Sequence, residues 1–193
     1  MGNYQYKNRK TPRKQNWDYT QNGAYFITIC TANRENYFGK IIDGKMILSP
    51  TGILADVFWH EIKNHAKFVE LNEFVVMPNH IHGILILNNP NNDGNADVVG
   101  TGHALSLQRP QPTVPSQPLT EKNRYQNIGK NSVSAIIGSY KSAVTKHANR
   151  LKLPNGWQSR FHDHIIRNDD EFKRIKNYIA NNPKNWNDDK FNK

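Results

Sequence analysis

The chain has 193 residues, with 26 Lys and Arg against 16 Asp and Glu, a formal net charge of +10 and 36% hydrophobic residues. That length and apolar content are enough for one domain with a real core, and no apolar run is long enough to span a bilayer. A single Cys excludes an intrachain disulfide framework, and the basic balance favours an anionic partner without naming one.

Residues 1–22 read as a basic, flexible tail in which Lys7, Arg9, Lys10, Arg13 and Lys14 are interleaved with Tyr4, Tyr6, Trp17 and Tyr19. Such a mixture suits phosphate contacts and base stacking, and suits equally a solvated segment with no partner. Tyr6 stands where an N-myristoylation signal needs Ser or Thr, and no signal-peptide apolar core follows. Residues 24–31 form a first strand, within which Cys30 is expected as a small buried residue. Residues 38–49 predict a hairpin turning at Asp43-Gly44. Ile53, Leu54, Val57, Phe58 and Ile62 then recur at helical spacing over 50–66.

Two adjacent strands follow at 68–77 and 80–87. The stretch 88–131 is rich in Asn, Gly, Pro, Gln and Ser, has no apolar period, and reads as an exposed, mobile insertion. A helix over 132–151 carries Val133, Ile136, Ile137, Tyr140, Val144 and Ala148 on one side, which turns Tyr140 toward the core. Lys141 and Lys146 lie on its remaining surface, where they could meet phosphate or simply solvent. Residues 157–167 are strand-like, and Arg160, His162, His164 and Arg167 stand at mostly even offsets, hinting at one polar face. A last helix starts at Asn168-Asp169-Asp170-Glu171, a capping-box-like signal with negative charge in the first turn. Pro183 ends it and is expected to push Asn182 away from α geometry. Residues 23–187 thus make one domain and 188–193 a C-terminal tail.

The chemistry is concentrated in two places. In Met77-Pro78-Asn79-His80-Ile81-His82-Gly83 the two histidines alternate with Ile81 on a strand, so both imidazoles point to the same side. Neutral imidazole nitrogens are good ligands for divalent metals, although histidines on a strand also serve as ordinary polar residues. In Asn177-Tyr178-Ile179-Ala180-Asn181-Asn182-Pro183, Tyr178 and Asn182 are four apart and share a helix face with Ile175. Taken alone, that pair fits a core-edge tyrosine and a helix terminator.

The order Met-Pro-Asn-His-Ile-His-Gly, long helix, Trp-Gln-Ser-Arg-Phe-His-Asp-His-Ile-Ile-Arg, helix, Tyr-Ile-Ala-Asn-Asn-Pro resembles the single-tyrosine HUH transposases, and within them the REP-associated tyrosine transposases. The resemblance runs from about residue 25 to 186 and is specific in the blocks 77–83 and 157–183. It implies an α+β, ferredoxin-like antiparallel sheet with helices packed on one face and the His pair on a central strand. It also implies Tyr178 as nucleophile, His80, His82 and Asn182 as ligands of Mg²⁺ or Mn²⁺, and a 5′-phosphotyrosine product. The implied partner is single-stranded DNA containing a hairpin, handled by a monomer or homodimer in a bacterial cytoplasm.

The residue types suit that chemistry independently. A phenol with a pKa of about 10 is a poor nucleophile unless a cation neutralises the phosphate it attacks. Two His and one Asn leave coordination positions open, as a catalytic site requires. His164 and Arg167 are candidates to support a ligand or touch phosphate, and Lys141, Lys146 and Arg160 join the N-terminal basic residues as candidate DNA contacts. Two other classes stay open: a nucleic-acid-binding module without chemistry, and a zinc site made by His80 and His82 with His162 or His164.

Overall fold

The computed structural model describes residues 17–90 and 131–192. The basic cluster Lys7, Arg9, Lys10, Arg13 and Lys14 and nearly all of the 88–131 insertion lie outside the described residues. Six strands and three α-helices follow in order: β1 Gly23–Cys30, β2 Gly39–Ile42, β3 Lys45–Leu48, α1 Pro50–His65, β4 Val69–Met77, β5 His80–Leu87, α2 Val133–Arg150, β6 His162–Ile166 and α3 Asp169–Asn181. A four-stranded sheet has the order β4-β5-β1-β6, every neighbouring pair antiparallel. Setting aside the β2–β3 hairpin, the chain runs strand, helix, strand, strand, helix, strand, which with that order is the ferredoxin-like topology. The His pair therefore starts a central strand, as expected.

Local chemistry sets the element ends. The hairpin turns on Asp43 and Gly44, both at positive φ, the geometry a two-residue type I′ turn needs. Ser49, Ser132 and Asn168 cap α1, α2 and α3 by accepting from the amides of Gly52, Ala135 and Glu171. The Glu171 carboxylate accepts from the Arg167 amide, one residue outside the usual capping-box partner.

Strand alternation sorts the core into two. Tyr25, Ile27, Ile29, Ile81 and Leu85 pack against Trp59 of α1 and Ile137, Tyr140 and Val144 of α2. Ala24, Ile84 and Ile166 face the other way and meet Ile175 and Ile179 of α3. The two long helices thus share one face as expected, while α3, whose apolar stripe matches the opposite parity, covers the face that carries His80 and His82. Tyr140 is a core residue: its hydroxyl donates to the Ala55 carbonyl at 2.8 Å, and burial pushes its pKa well up.

Gly83 shows how closely the two layers meet. A Cβ there would overlap the indole of Trp59, which is fully buried and stacked on Phe74 at 4.6 Å. Gly83→Ala is expected to cost about 3 kcal/mol by overpacking, read as a lower urea midpoint at unchanged slope.

Four expectations need correction. Only residues 162–166 of the 157–167 segment run in the ladder with β1: Thr28 pairs with His162 but Thr31 with Trp157, so the chain bulges outward at Ser159, Arg160 and Phe161. Asn182 keeps α geometry (φ −56°, ψ −43°) despite Pro183; only its hydrogen bond shortens, to the Ile179 carbonyl three residues back, and the carbonyls of Asn181 and Asn182 continue the turn by accepting from the Asn185 amide. Cys30 is half-buried, because its even parity in β1 aims it away from the α1–α2 core. The tail readings at both ends were too generous: Trp17 donates to the Tyr25 hydroxyl and Tyr19 packs on the core, while Phe191 is 8% exposed. Apolar rings at those positions gain more from burial than a flexible tail allows.

Candidate active site

β5 sets His80 opposite Cys30 and His82 opposite Thr28, with both imidazoles on the α3 side of the sheet. They are 0% and 1% exposed, their ring centroids 4.5 Å apart. Each is held by its Nδ1 edge: His80 meets Asn79 Oδ1 at 2.9 Å, and His82 meets Thr28 Oγ1 at 2.9 Å. Burial depresses both basicities, to about 4 for His80 and well below the ordinary value for His82. Both rings are therefore neutral at pH 7, the state in which imidazole offers a lone pair.

That depression has a consequence for the metal-free protein. The unfolded His80 has the ordinary pKa of about 6.5 and takes up its proton first as the solution is acidified. Its contribution to stability is therefore complete above pH 6.5 and lost as pH falls toward 4, on the order of 3 kcal/mol from this ring, with His82 acting in the same direction. Urea unfolding in EDTA between pH 7 and 4 is expected to show the decline, and His80→Gln to flatten it.

α3 carries Tyr178 and Asn182 to the same place. The Tyr178 hydroxyl lies 3.2 Å from His82 Nε2, its ring 5.3 Å from the His82 ring and edge-on to Phe26 at 6.1 Å. Tyr178 is nonetheless 41% exposed. Burial first, and then the charge of Asp189, raise its pKa, so it is a neutral phenol at pH 7. Asn182 is 2% exposed and donates Nδ2–H to Asp189 Oδ2 at 3.1 Å, which leaves its Oδ1 buried without a partner.

Asp189 is the residue the sequence reading missed. After α3 the chain passes through a 3₁₀ turn, Trp186–Asp188, and folds back so that Asp189, His80 and His82 place one potential ligand atom each within 4.8 Å of one another. His80 Nε2 is buried and unpaired, like Asn182 Oδ1. Two neutral imidazoles, a carboxylate and a carboxamide oxygen, two of them with orphaned atoms, are a donor set that fits a divalent cation. The signal available beforehand was an acid seven residues after Asn182, with nothing to say that the chain returns.

Beside this cluster opens a cleft of about 1110 Å³, lined by Tyr178, His82, Asn182 and Asp189 and by the basic residues Arg34, Arg160, Arg174 and Lys190. Arg160 reaches it from the β1–β6 bulge. The other expected contacts divide. His164 lines the cleft, with Nε2 donating to Glu171 Oε1 at 2.8 Å, and belongs to no metal-ligand group. The Arg167 amide and then His164 hold the Glu171 carboxyl below its ordinary range. Arg167 itself is exposed and lies outside the cleft lining, while its backbone amide donates to Glu171. Lys141 donates to the Gln158 carbonyl at 2.6 Å and Lys146 is exposed on α2; neither lines the cleft. His162 lines it but is exposed and also outside the ligand cluster.

No protein-family profile matches the chain. An uncharacterized protein of Haemophilus influenzae is 33% identical over 182 residues, spanning 94% of this chain and 91% of that one. The chain belongs to that protein's family. Among solved structures, a REP-associated tyrosine transposase bound to a REP hairpin aligns over 90% of this chain and 74% of its own, at 20% identity and a TM-score of 0.54. The family member described here thus has a transposase-like fold. A protein from Deinococcus radiodurans aligns over 88% of this chain and 95% of its own, at 15% identity and a TM-score of 0.39, below the level that establishes a shared fold. No helix among the described residues is long and apolar enough to cross a membrane.

Proposed function

We propose that this protein is a metal-dependent single-stranded DNA endonuclease and strand transferase of the tyrosine HUH type, acting through a 5′-phosphotyrosine in the bacterial cytoplasm. The observation that carries the reading is the Tyr178 hydroxyl 3.2 Å from His82 Nε2, on the wall of a cleft that also presents Arg34, Arg160, Arg174 and Lys190. That closeness to the ligands combined with exposure to the cleft is what a nucleophile working beside a metal needs. The REP hairpin bound in the similar structure supports hairpin-containing DNA as the substrate class.

His80, His82 and Asp189, with Asn182 Oδ1 beside them, would hold Mg²⁺ or Mn²⁺. When bound, such a cation neutralises non-bridging phosphate oxygens and eases loss of the phenol proton. Arg34, Arg160, Arg174 and Lys190 position the flanking phosphates, and Phe26 fixes the tyrosine ring. The Tyr178 oxygen attacks phosphorus in line and gives up its proton to solvent water in the cleft. The bond from phosphorus to the 3′ oxygen breaks, and that oxygen takes up a proton. The products are a 5′-phosphotyrosine and a free 3′-OH, and attack by a 3′-OH on the phosphotyrosine rejoins strands by the reverse path.

Labelled hairpin-bearing single strands from the DNA flanking the gene test this. The expected result is cleavage with Mn²⁺ or Mg²⁺ and none in EDTA. Cleavage that persists in EDTA overturns the reading. Tight binding with no cleavage in any divalent metal leaves a nucleic-acid-binding module in its place.

A further inference from the structure

Asn79, between Pro78 and the His pair, is 2% exposed and takes no part in the chemistry above. Its carboxamide Nδ2 lies 2.8 Å from the Phe191 carbonyl and 3.3 Å from the Arg34 carbonyl, and its Oδ1 lies 2.9 Å from His80 Nδ1. We propose that Asn79 is the positioning residue of the metal site: its one carboxamide selects the tautomer of His80 and clamps the returning C-terminal segment that brings Asp189 to the ligands. The inference rests on the reading of His80 and Asp189 as metal ligands.

The argument is one of donors and acceptors. Carbonyl oxygens only accept, so the two that face Asn79 fix its NH₂ on their side and its oxygen on the side of His80. That oxygen also only accepts, so His80 must carry its proton on Nδ1. Nε2 is then an unprotonated lone pair, and it is the His80 atom that is buried without a partner. The same NH₂ ties Phe191, two residues after Asp189, to the start of β5. Arg34 reinforces the clamp by donating to the Lys190 carbonyl at 3.2 Å and lying 4.8 Å over the Phe191 ring, which packs 4.4 Å from the His80 ring. The Asn79 carbonyl is held in turn by the Thr31 amide at 2.9 Å, so the carboxamide starts from a fixed backbone. A lone polar residue satisfying a buried turn would not need to couple a ligand ring to a segment more than a hundred residues away in sequence.

Two measurements separate this from a merely structural Asn. In metal-free, ¹⁵N-histidine-labelled protein at neutral pH, long-range ¹H–¹⁵N correlation is expected to show His80 protonated at Nδ1, with Nε2 as the unprotonated nitrogen; the opposite tautomer overturns the proposal. In Mn²⁺ titrations, Asn79→Ala is expected to bind roughly 10–100-fold more weakly than wild type, and unchanged affinity overturns it. Asn79→Asp, should the alanine variant not fold, keeps the acceptor for His80 but sets a carboxylate against two carbonyls. It is expected to retain the tautomer while amides 189–191 lose protection in hydrogen exchange, and retained protection there counts against the clamp. Wild-type protein that takes up no Mn²⁺ sinks the metal reading itself, and the tautomer measurement then judges Asn79 separately.

Discussion

Tyr178→Phe is expected to abolish strand cleavage while DNA binding and Mn²⁺ binding persist. The substitution deletes one oxygen and keeps the ring that packs edge-on to Phe26, so the helix and its contacts survive. The lost hydrogen bond is to a His82 nitrogen that the metal would claim in any case, and for a side chain 41% exposed its removal costs about 1 kcal/mol. On the proposed reading, phosphate affinity would be spread over Arg34, Arg160, Arg174 and Lys190 and would not depend on the phenol oxygen. What disappears is the nucleophile, which no neighbouring residue supplies: Tyr140, the other tyrosine on a candidate helix, is 3% exposed and bound to the Ala55 carbonyl. Tyr140→Phe is accordingly expected to leave cleavage in place. Normal cleavage by Tyr178→Phe would mean that activated water, and not a tyrosine, attacks the phosphate.

The His80→Ala, His82→Ala double variant is expected to lose both Mn²⁺ binding and cleavage. Each ring offers a neutral nitrogen where burial has already paid the cost of keeping it unprotonated, and no exposed side chain can substitute for a lone pair inside the fold. Asn182→Ala is expected to weaken metal binding less than either single His change, because water can replace one neutral oxygen. Asp189→Ala falls between them: it removes the formal negative charge that balances the cation, and it also releases Asn182 Nδ2. Isothermal titration with Mn²⁺ reads every one of these variants. Undiminished binding in the double variant would remove His80 and His82 from the site.

Much of this arrangement was legible because local patterns carry it. Asp43-Gly44 encodes its turn, the Asn168 cap encodes a helix start, and the alternation His80-Ile81-His82 on an apolar run puts both rings on one side of a central strand. The spacing of Tyr178 and Asn182 places them on one face of α3 whatever the sheet does. The parts that escaped depend on chain return and not on periodicity. Asp189 and Phe191 follow a proline and read as a polar tail, yet the turns built on the Asn181 and Asn182 carbonyls send them back over His80. Asn79 falls between two expected strands, and its double role appears only when the Phe191 and Arg34 carbonyls arrive beside it. Arg160 was expected in a straight strand, but it is the bulge against β1 that turns it into the cleft. Arg167 illustrates the reverse: a basic residue at a suggestive offset whose backbone serves the helix start.

Mass-spectrometric mapping of the covalent complex tests the central claim most directly. Wild-type protein incubated with Mn²⁺ and a hairpin-bearing single strand, denatured and digested, is expected to give a nucleotide adduct linked through a 5′-phosphate to the peptide containing Tyr178. Cleaved DNA with no adduct on that peptide, or an adduct on the peptide containing Tyr140, would contradict it.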